Sequence, residues 1–177
     1  MPKLKLLILD AGVVIYLHEI GLWQQVVANC DLYLSRIVAE KEVLFQKSER
    51  DEYGYDVDLS SLIKSGAITV FDVSISDLKT FRNQFDLLYL GDLDDGESES
   101  LACLVKQSPD FLISSGDAIV YRVLGNLNRG EQGISLEEIL QKLGPARVVT
   151  NSCTKRFREL YTKQGQQDMI RGLGKKW

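Results

Sequence analysis

The chain has 177 residues, 45% of them hydrophobic and 26% charged, with three prolines and a net charge of −4. That balance excludes a disordered chain and predicts one domain with a real core. The first apolar stretch stops at Asp10, too short for a signal segment, and no later run approaches the roughly 20 apolar residues of a membrane span, so a cytoplasmic, membrane-free protein is expected.

Residues 5–10 form a continuous apolar run closed by a carboxylate, the pattern of a strand buried on both faces in a parallel sheet. Residues 15–28 carry Ile15, Leu17, Ile20, Leu22, Trp23, Val26 and Val27 at mostly helical spacing and predict a helix. Residues 31–35 predict a second strand, with Ser35 capping a helix over 36–46. The polar, acid-rich stretch 47–58 is expected to be a loop, followed by one helical turn at 59–63, a strand at 67–71 and a helix over 74–88. Asp94 followed by Glu97 predicts a capped helix start whose apolar face continues through 101–105. Residues 110–114 read as another buried strand, and Gly116-Asp117 opens a helix over 118–127. Beyond it come a turn at 128–133, a capping box at Ser135 and Glu138, an edge strand at 148–150 and a basic helix over 155–163. Alternation of strands and helices predicts a three-layer α/β/α sandwich with a central parallel sheet.

Charge is divided along the chain: residues 1–125 hold 11 Lys and Arg against 20 Asp and Glu, whereas 126–177 hold 10 against 5. The expected organisation is a body over 1–150 and a basic, helical extension over 151–177 that belongs to the same unit. Arg122, Arg129, Lys155, Arg156 and Arg158, with Lys163 and Arg171, are the candidates for contacting a polyanion such as RNA, and Tyr53 and Tyr55 for stacking on bases or covering the site. The segment 171–177 is expected to be disordered, or to reach a partner or the substrate. Three widely spaced cysteines, Cys30, Cys103 and Cys153, and a single histidine, His18, support neither a disulfide framework nor a zinc site and predict reduced structural thiols. They also offer poor material for a Ser-His or Cys-His nucleophile.

Open α/β sheets bind ligands beyond the carboxyl ends of their strands. Asp10 ends the first strand, Asp117 follows a later one, Glu97 opens a helix, and Glu40 and Glu42 lie in the helix after Ser35. Singly, Glu97 is explained by capping, Asp117 by its helix N-terminus and Asp10 by turn chemistry. Convergence would be different, because close carboxylates raise one another's pKa unless a cation neutralises them, and oxygen-only ligands select Mg²⁺ or Mn²⁺. Glu40 and Glu42, two positions apart, cannot point the same way. Glu42, beside Val38 and Val43, suits an inward carboxylate better than Glu40, whose neighbour four residues back is Arg36.

Four segments, Leu-Ile-Leu-Asp10-Ala-Gly-Val-Val-Ile15, Ser35-Arg-Ile-Val-Ala-Glu-Lys-Glu-Val43, Leu93-Asp-Asp-Gly-Glu97-Ser-Glu-Ser-Leu-Ala102 and Phe111-Leu-Ile-Ser-Ser-Gly-Asp117, resemble in that order the four acidic motifs of PIN-domain ribonucleases. The resemblance implies a metal-dependent endoribonuclease in which Asp10, Glu42 (or Glu40), Glu97 and Asp117 are the catalytic residues and hold one or two Mg²⁺ or Mn²⁺ ions. Two such ions, about 3.5 to 4 Å apart, activate a water and neutralise the leaving oxygen. It also implies RNA as substrate, the setting of a toxin with an antitoxin or other protein regulator as partner, and a homodimer. The family often has Asn or Ser two positions after the first Asp; here Gly12 stands there, and Ser114 or Ser115 is a candidate compensating hydroxyl. Two other functions fit parts of the pattern. One is a Mg²⁺-dependent phosphatase of the haloacid dehalogenase type with Asp10 as nucleophile, disfavoured by Gly12 where a second Asp is wanted. The other is a catalytically inactive PIN-like module that binds nucleic acid or protein.

Overall fold

The computed structural model describes residues 3–42, 46–48, 51–55, 57–144 and 147–176, with the backbone alone at 6–8, 41–42, 46–48 and 51–55. Strand β1 (Leu4–Leu9) leads to helices α1 (Ala11–Glu19) and α2 (Trp23–Asn29), then β2 (Cys30–Ser35). A single wide helical turn, Val38–Glu42, precedes β3 (Gln46–Ser48) and β4 (Asp51–Tyr55); α3 (Ser60–Lys64) and β5 (Ile68–Phe71) follow. Next come α4 (Ile75–Arg82), α5 (Leu87–Leu90), α6 (Asp95–Leu104), β6 (Leu112–Ser114) and α7 (Ala118–Asn126), and finally α8 (Leu136–Leu143) and α9 (Lys155–Ile170).

The central sheet is parallel, in the order β5-β2-β1-β6. The chain steps outward from β1 to β2 to β5, then returns to lay β6 on the other side of β1. Strand order therefore reverses between β1 and β6, and the crevice beyond their carboxyl ends is where a sheet of this kind opens a binding site. Leu9 of β1 pairs with Ser114 of β6, and the Asp10 amide donates to the Ser114 carbonyl at 3.3 Å. Residues 10 and 115–117 thus leave the sheet side by side.

Neighbouring strand residues point to opposite faces, and they divide between two apolar clusters. Leu32, Leu34, Ile68 and Leu112 pack with Val13, Val14, Leu17 and Val26 of α1 and α2 and Ile139 of α8. Tyr33, Phe71 and Ile113 pack with Phe81 of α4, Leu101 of α6 and Val120 and Leu124 of α7. The result is a mixed α/β fold with helices against both faces of a small parallel sheet. Helix α9 lies along α7 at a very close approach. A Cβ on Gly165 would sit 1.9 Å from the Arg122 carbonyl oxygen, and one on Gly125 2.0 Å from that of Thr162.

Several predicted elements divide or change. The helix expected over 15–28 is broken at Gly21, whose φ of +73° leaves the helical region. The one expected over 74–88 stops at Arg82, and Asp86 caps a new turn by accepting from the Tyr89 amide. Of the helix expected over 36–46 the described residues show the turn Val38–Glu42, opened as expected by Ser35, whose Oγ accepts from the Val38 amide at 3.1 Å, and Gln46 already belongs to β3; residues 43–45 lie outside the described residues. The loop expected over 47–58 contains the antiparallel hairpin β3–β4. Residues 147–150 form no strand, and the terminal helix runs on to Ile170. Residues 171–176 after it are ordered against the body: Asp86 accepts from the Gly174 amide at 2.8 Å and its own amide donates to the Gly174 carbonyl at 2.7 Å, while Asn126 accepts from the Lys175 amide. No described helix is long and apolar enough to cross a membrane.

Candidate metal centre

Asp10 is the N-cap of α1. Its Oδ1 accepts from the amides of Gly12 at 2.7 Å and Val13 at 3.4 Å, and its Oδ2 accepts from the Ser115 hydroxyl. With 5% of its surface exposed, its carboxyl is pushed up from 3.8 to about 6, mainly by burial and further by the charge of Asp117, against the lowering pull of Ser115 and the two amides. Gly12 has a local role: a Cβ there would lie 3.2 Å from Asp10 Oδ1, so its amide, not a side chain, touches the carboxylate.

Glu97 sits at the third position of α6 in a closed capping box. Its amide donates to Asp94 Oδ1 at 2.7 Å, and its own Oε2 accepts from the Asp94 amide at 3.1 Å. It is 4% exposed, and its carboxyl is held well above the ordinary range, first by burial and then by Asp117 and Asp94, with the Asp94 amide opposing. Asp117 is the N-cap of α7 but makes no side-chain cap bond. Its amide donates to Ser115 Oγ at 2.9 Å, and its carboxylate is exposed. One ligand is therefore open to solvent while two are enclosed.

A carboxylate oxygen from each of Asp10, Glu97 and Asp117 lies within 4.8 Å of the others. An octahedral Mg²⁺ at about 2.1 Å from its ligands puts adjacent oxygens about 3 Å and opposite ones about 4.2 Å apart, so this set would draw together by up to about 2 Å per pair to close on an ion. All donors are oxygens, which suits a hard cation and not zinc or copper. The three carboxylates are thus placed to hold a metal ion.

Of the two candidates for a fourth acid, Glu40 points elsewhere. It is exposed and pairs with Arg36 at 2.6 Å, an arginine that also forks onto Asp72 at 2.7 and 3.0 Å. Glu42 closes the same turn, but its side chain, like those of Tyr53 and Tyr55, lies outside the described residues. A buried acid absent from the sequence reasoning is Glu99, 4% exposed. It accepts from the Val73 amide at 3.3 Å, and burial raises its carboxyl. No spacing rule marks it, because its partner is the chain just past β5.

The basic candidates divide. Arg122 pairs with Asp168 at 2.6 Å and lies over the Tyr89 ring. Arg158 forks onto Glu138 at 2.7 and 2.9 Å, and Arg129 donates to Gln132 and to the Val105 carbonyl. Through these contacts the three arginines tie neighbouring helices and turns together. Lys155, within 3.7 Å of Glu159, and Arg156, Lys163 and Arg171 stay exposed on or just past α9. The turn Asn151–Cys153 before that helix borders the centre, with Ser152 Oγ 3.6 Å from where a Cβ on Gly116 would stand. His18 Nδ1 donates to the Val14 carbonyl at 2.8 Å and its ring stacks on Trp23, and the three cysteines are free thiols.

Ser115 is the link between the two strand-end aspartates, with 1% of its surface exposed. Replacing Ser115 by Ala should leave the fold in place and weaken Mn²⁺ binding roughly tenfold, as loss of a residue that orients a metal ligand commonly does; calorimetric titration reads this directly. Comparison of the chain with protein-family models, with curated proteins and with solved structures returns no match.

Proposed function

We propose that this chain is a PIN-like, Mg²⁺- or Mn²⁺-dependent endoribonuclease whose three-layer α/β/α body carries its site at the carboxyl ends of β1 and β6. The supporting observation is the meeting of Asp10, Glu97 and Asp117, 87 and 20 residues apart in sequence, within 4.8 Å at the strand-order reversal. Two are buried and resist ionisation without a compensating positive charge.

Asp10 and Glu97 are the fixed side of the site, each anchored by backbone amides, so their oxygens need little reorganisation to accept a cation. Asp117, exposed and uncapped, faces the side from which a phosphodiester would approach. A bound ion of this class lowers the pKa of a water and neutralises charge on phosphate oxygens. Lys155 and Arg156 follow the Asn151–Cys153 turn that borders the site and are the cations we assign to the flanking phosphates. Such a nuclease fits the setting of a toxin restrained by an antitoxin.

The phosphatase alternative is less compatible with Asp10. Gly12 stands two residues after it, where that chemistry wants a second Asp, and Gly12 offers the Asp10 carboxylate only a backbone amide. Incubating a mixed RNA with the protein in Mn²⁺, Mg²⁺ or EDTA tests the proposal. Cleavage is expected with either ion and is lost in EDTA and in Glu97→Gln. Cleavage that persists in EDTA contradicts it, and tight Mn²⁺ binding without cleavage would favour a non-catalytic binding module.

A further inference from the structure

We infer that Tyr121 is a positioning residue for the carboxylate centre, acting through Ser115 on both Asp10 and Asp117; this inference rests on the metal centre proposed above. Tyr121 lies in the first turn of α7 and is 1% exposed. Long side chains on a helix lean toward its N-terminus, which carries the phenol back to a residue six positions earlier. Its Oη accepts from the Ser115 amide at 3.0 Å and donates to the Ser115 carbonyl at 2.9 Å, with the Ile134 carbonyl at 3.2 Å as a second acceptor. A single phenolic oxygen thus engages both polar backbone groups of Ser115, and the peptide planes on either side of that residue are fixed.

What is fixed is a side chain that touches two of the three acidic residues. Ser115 Oγ donates to Asp10 Oδ2 and accepts from the Asp117 amide at 2.9 Å. The chain of contacts Tyr121, Ser115, Asp10 and Asp117 sets the separation of the two strand-end carboxylates, and no part of it requires Tyr121 to meet a ligand. The ring and the hydroxyl have separable roles. The ring fills the core, edge-on to Phe157 of α9 at 6.4 Å between centroids and against Gly133, and phenylalanine would fill the same space.

The experiment compares Mn²⁺ titrations, read by calorimetry, of wild type, Tyr121→Phe and Phe157→Leu. Phe157→Leu disturbs the packing of the ring but keeps the hydroxyl. A positioning role predicts that Tyr121→Phe raises the Mn²⁺ dissociation constant about tenfold while Phe157→Leu leaves it within about twofold of wild type. Equal dissociation constants for wild type and Tyr121→Phe overturn the inference and leave the metal centre standing. Equal weakening in both variants also overturns it, because the effect is then one of packing. A wild type that takes up no Mn²⁺ overturns the centre and this role together. Should Tyr121→Phe fail to fold, amide exchange of wild type with and without Mg²⁺ decides the matter. The Ser115 and Asp117 amides should be protected together on Mg²⁺ binding; protection of the Asp117 amide alone overturns the inference.

Discussion

Replacing Asp10 by asparagine is expected to reduce RNA cleavage by more than about 100-fold and, in the same protein, to raise the stability of the metal-free fold. The two effects have one cause. Asp10 is pushed up from 3.8 to about 6 chiefly by burial, so above neutral pH its charge is held in the folded state at a cost of about 3 kcal/mol relative to the unfolded chain. Asparagine keeps an oxygen for the Gly12 and Val13 amides and can donate from its nitrogen to Ser115 Oγ. It therefore removes the charge and keeps the Gly12 and Val13 amides paired, while the Ser115 hydroxyl hydrogen loses its acceptor. Urea unfolding in EDTA at pH 8 should show a gain of up to about 3 kcal/mol, and the gain should vanish below about pH 3, where the aspartate is protonated in both states. A variant less stable than wild type at pH 8 would mean that the carboxylate is not under the strain described.

The largest effect on the fold itself is expected at Gly165. In an exposed helix, glycine to alanine stabilises by about 1 kcal/mol; here the sign should reverse. A Cβ at this position would stand 1.9 Å from the Arg122 carbonyl oxygen, and backbone cannot give way as a flexible side chain can. Helix α9 must move off α7, and with it the ion pair of Arg122 with Asp168, the Tyr89 hydroxyl donated to Asp168 at 2.8 Å and the bidentate contact of Arg158 with Glu138. Gly165→Ala should cost about 3 kcal/mol, measured as a lowered urea midpoint. An unchanged or raised midpoint would contradict the close contact of the two helices.

Much of this architecture is legible locally. The apolar run into Asp10 is a parallel strand, and the boxes Asp94–Glu97 and Ser135–Glu138 open helices where three-residue spacing says they should, because a cap is decided within four residues of chain. Breaks inside helices are less so. Gly21 and Asp86 compete with an apolar periodicity that runs past them, and periodicity alone does not reveal which prevails. The hairpin β3–β4 is hidden because its strands are polar and acidic, without the alternation that marks a half-buried strand.

The site divides in the same way. Asp10, Glu97 and Asp117 are found by their positions at strand ends and helix starts, which local pattern supplies. The pairing of Glu40 with Arg36 is also local, one helical turn apart. Arg122, Arg129 and Arg158 look free in sequence because their partners arrive by tertiary packing: Asp168 lies 46 residues from Arg122, Glu138 lies 20 from Arg158 and the Val105 carbonyl 24 from Arg129. The grip of Tyr121 on Ser115 depends on the turn between β6 and α7, and no residue type announces it.

Stability against pH, with and without metal, tests the carboxylate centre most directly. For both Asp10 and Glu97 the folded-state pKa is raised. The folded state then holds more protons than the unfolded one above about pH 4, and their contribution to stability is lost as pH rises through 6 and beyond. In EDTA the unfolding free energy should fall from pH 5 to 8. In Mn²⁺ at 100 times its dissociation constant it should be restored by about 2.7 kcal/mol, with the increment shrinking toward pH 5 as protons displace the ion. A curve that is flat in EDTA and the same in Mn²⁺ at every pH would contradict the account.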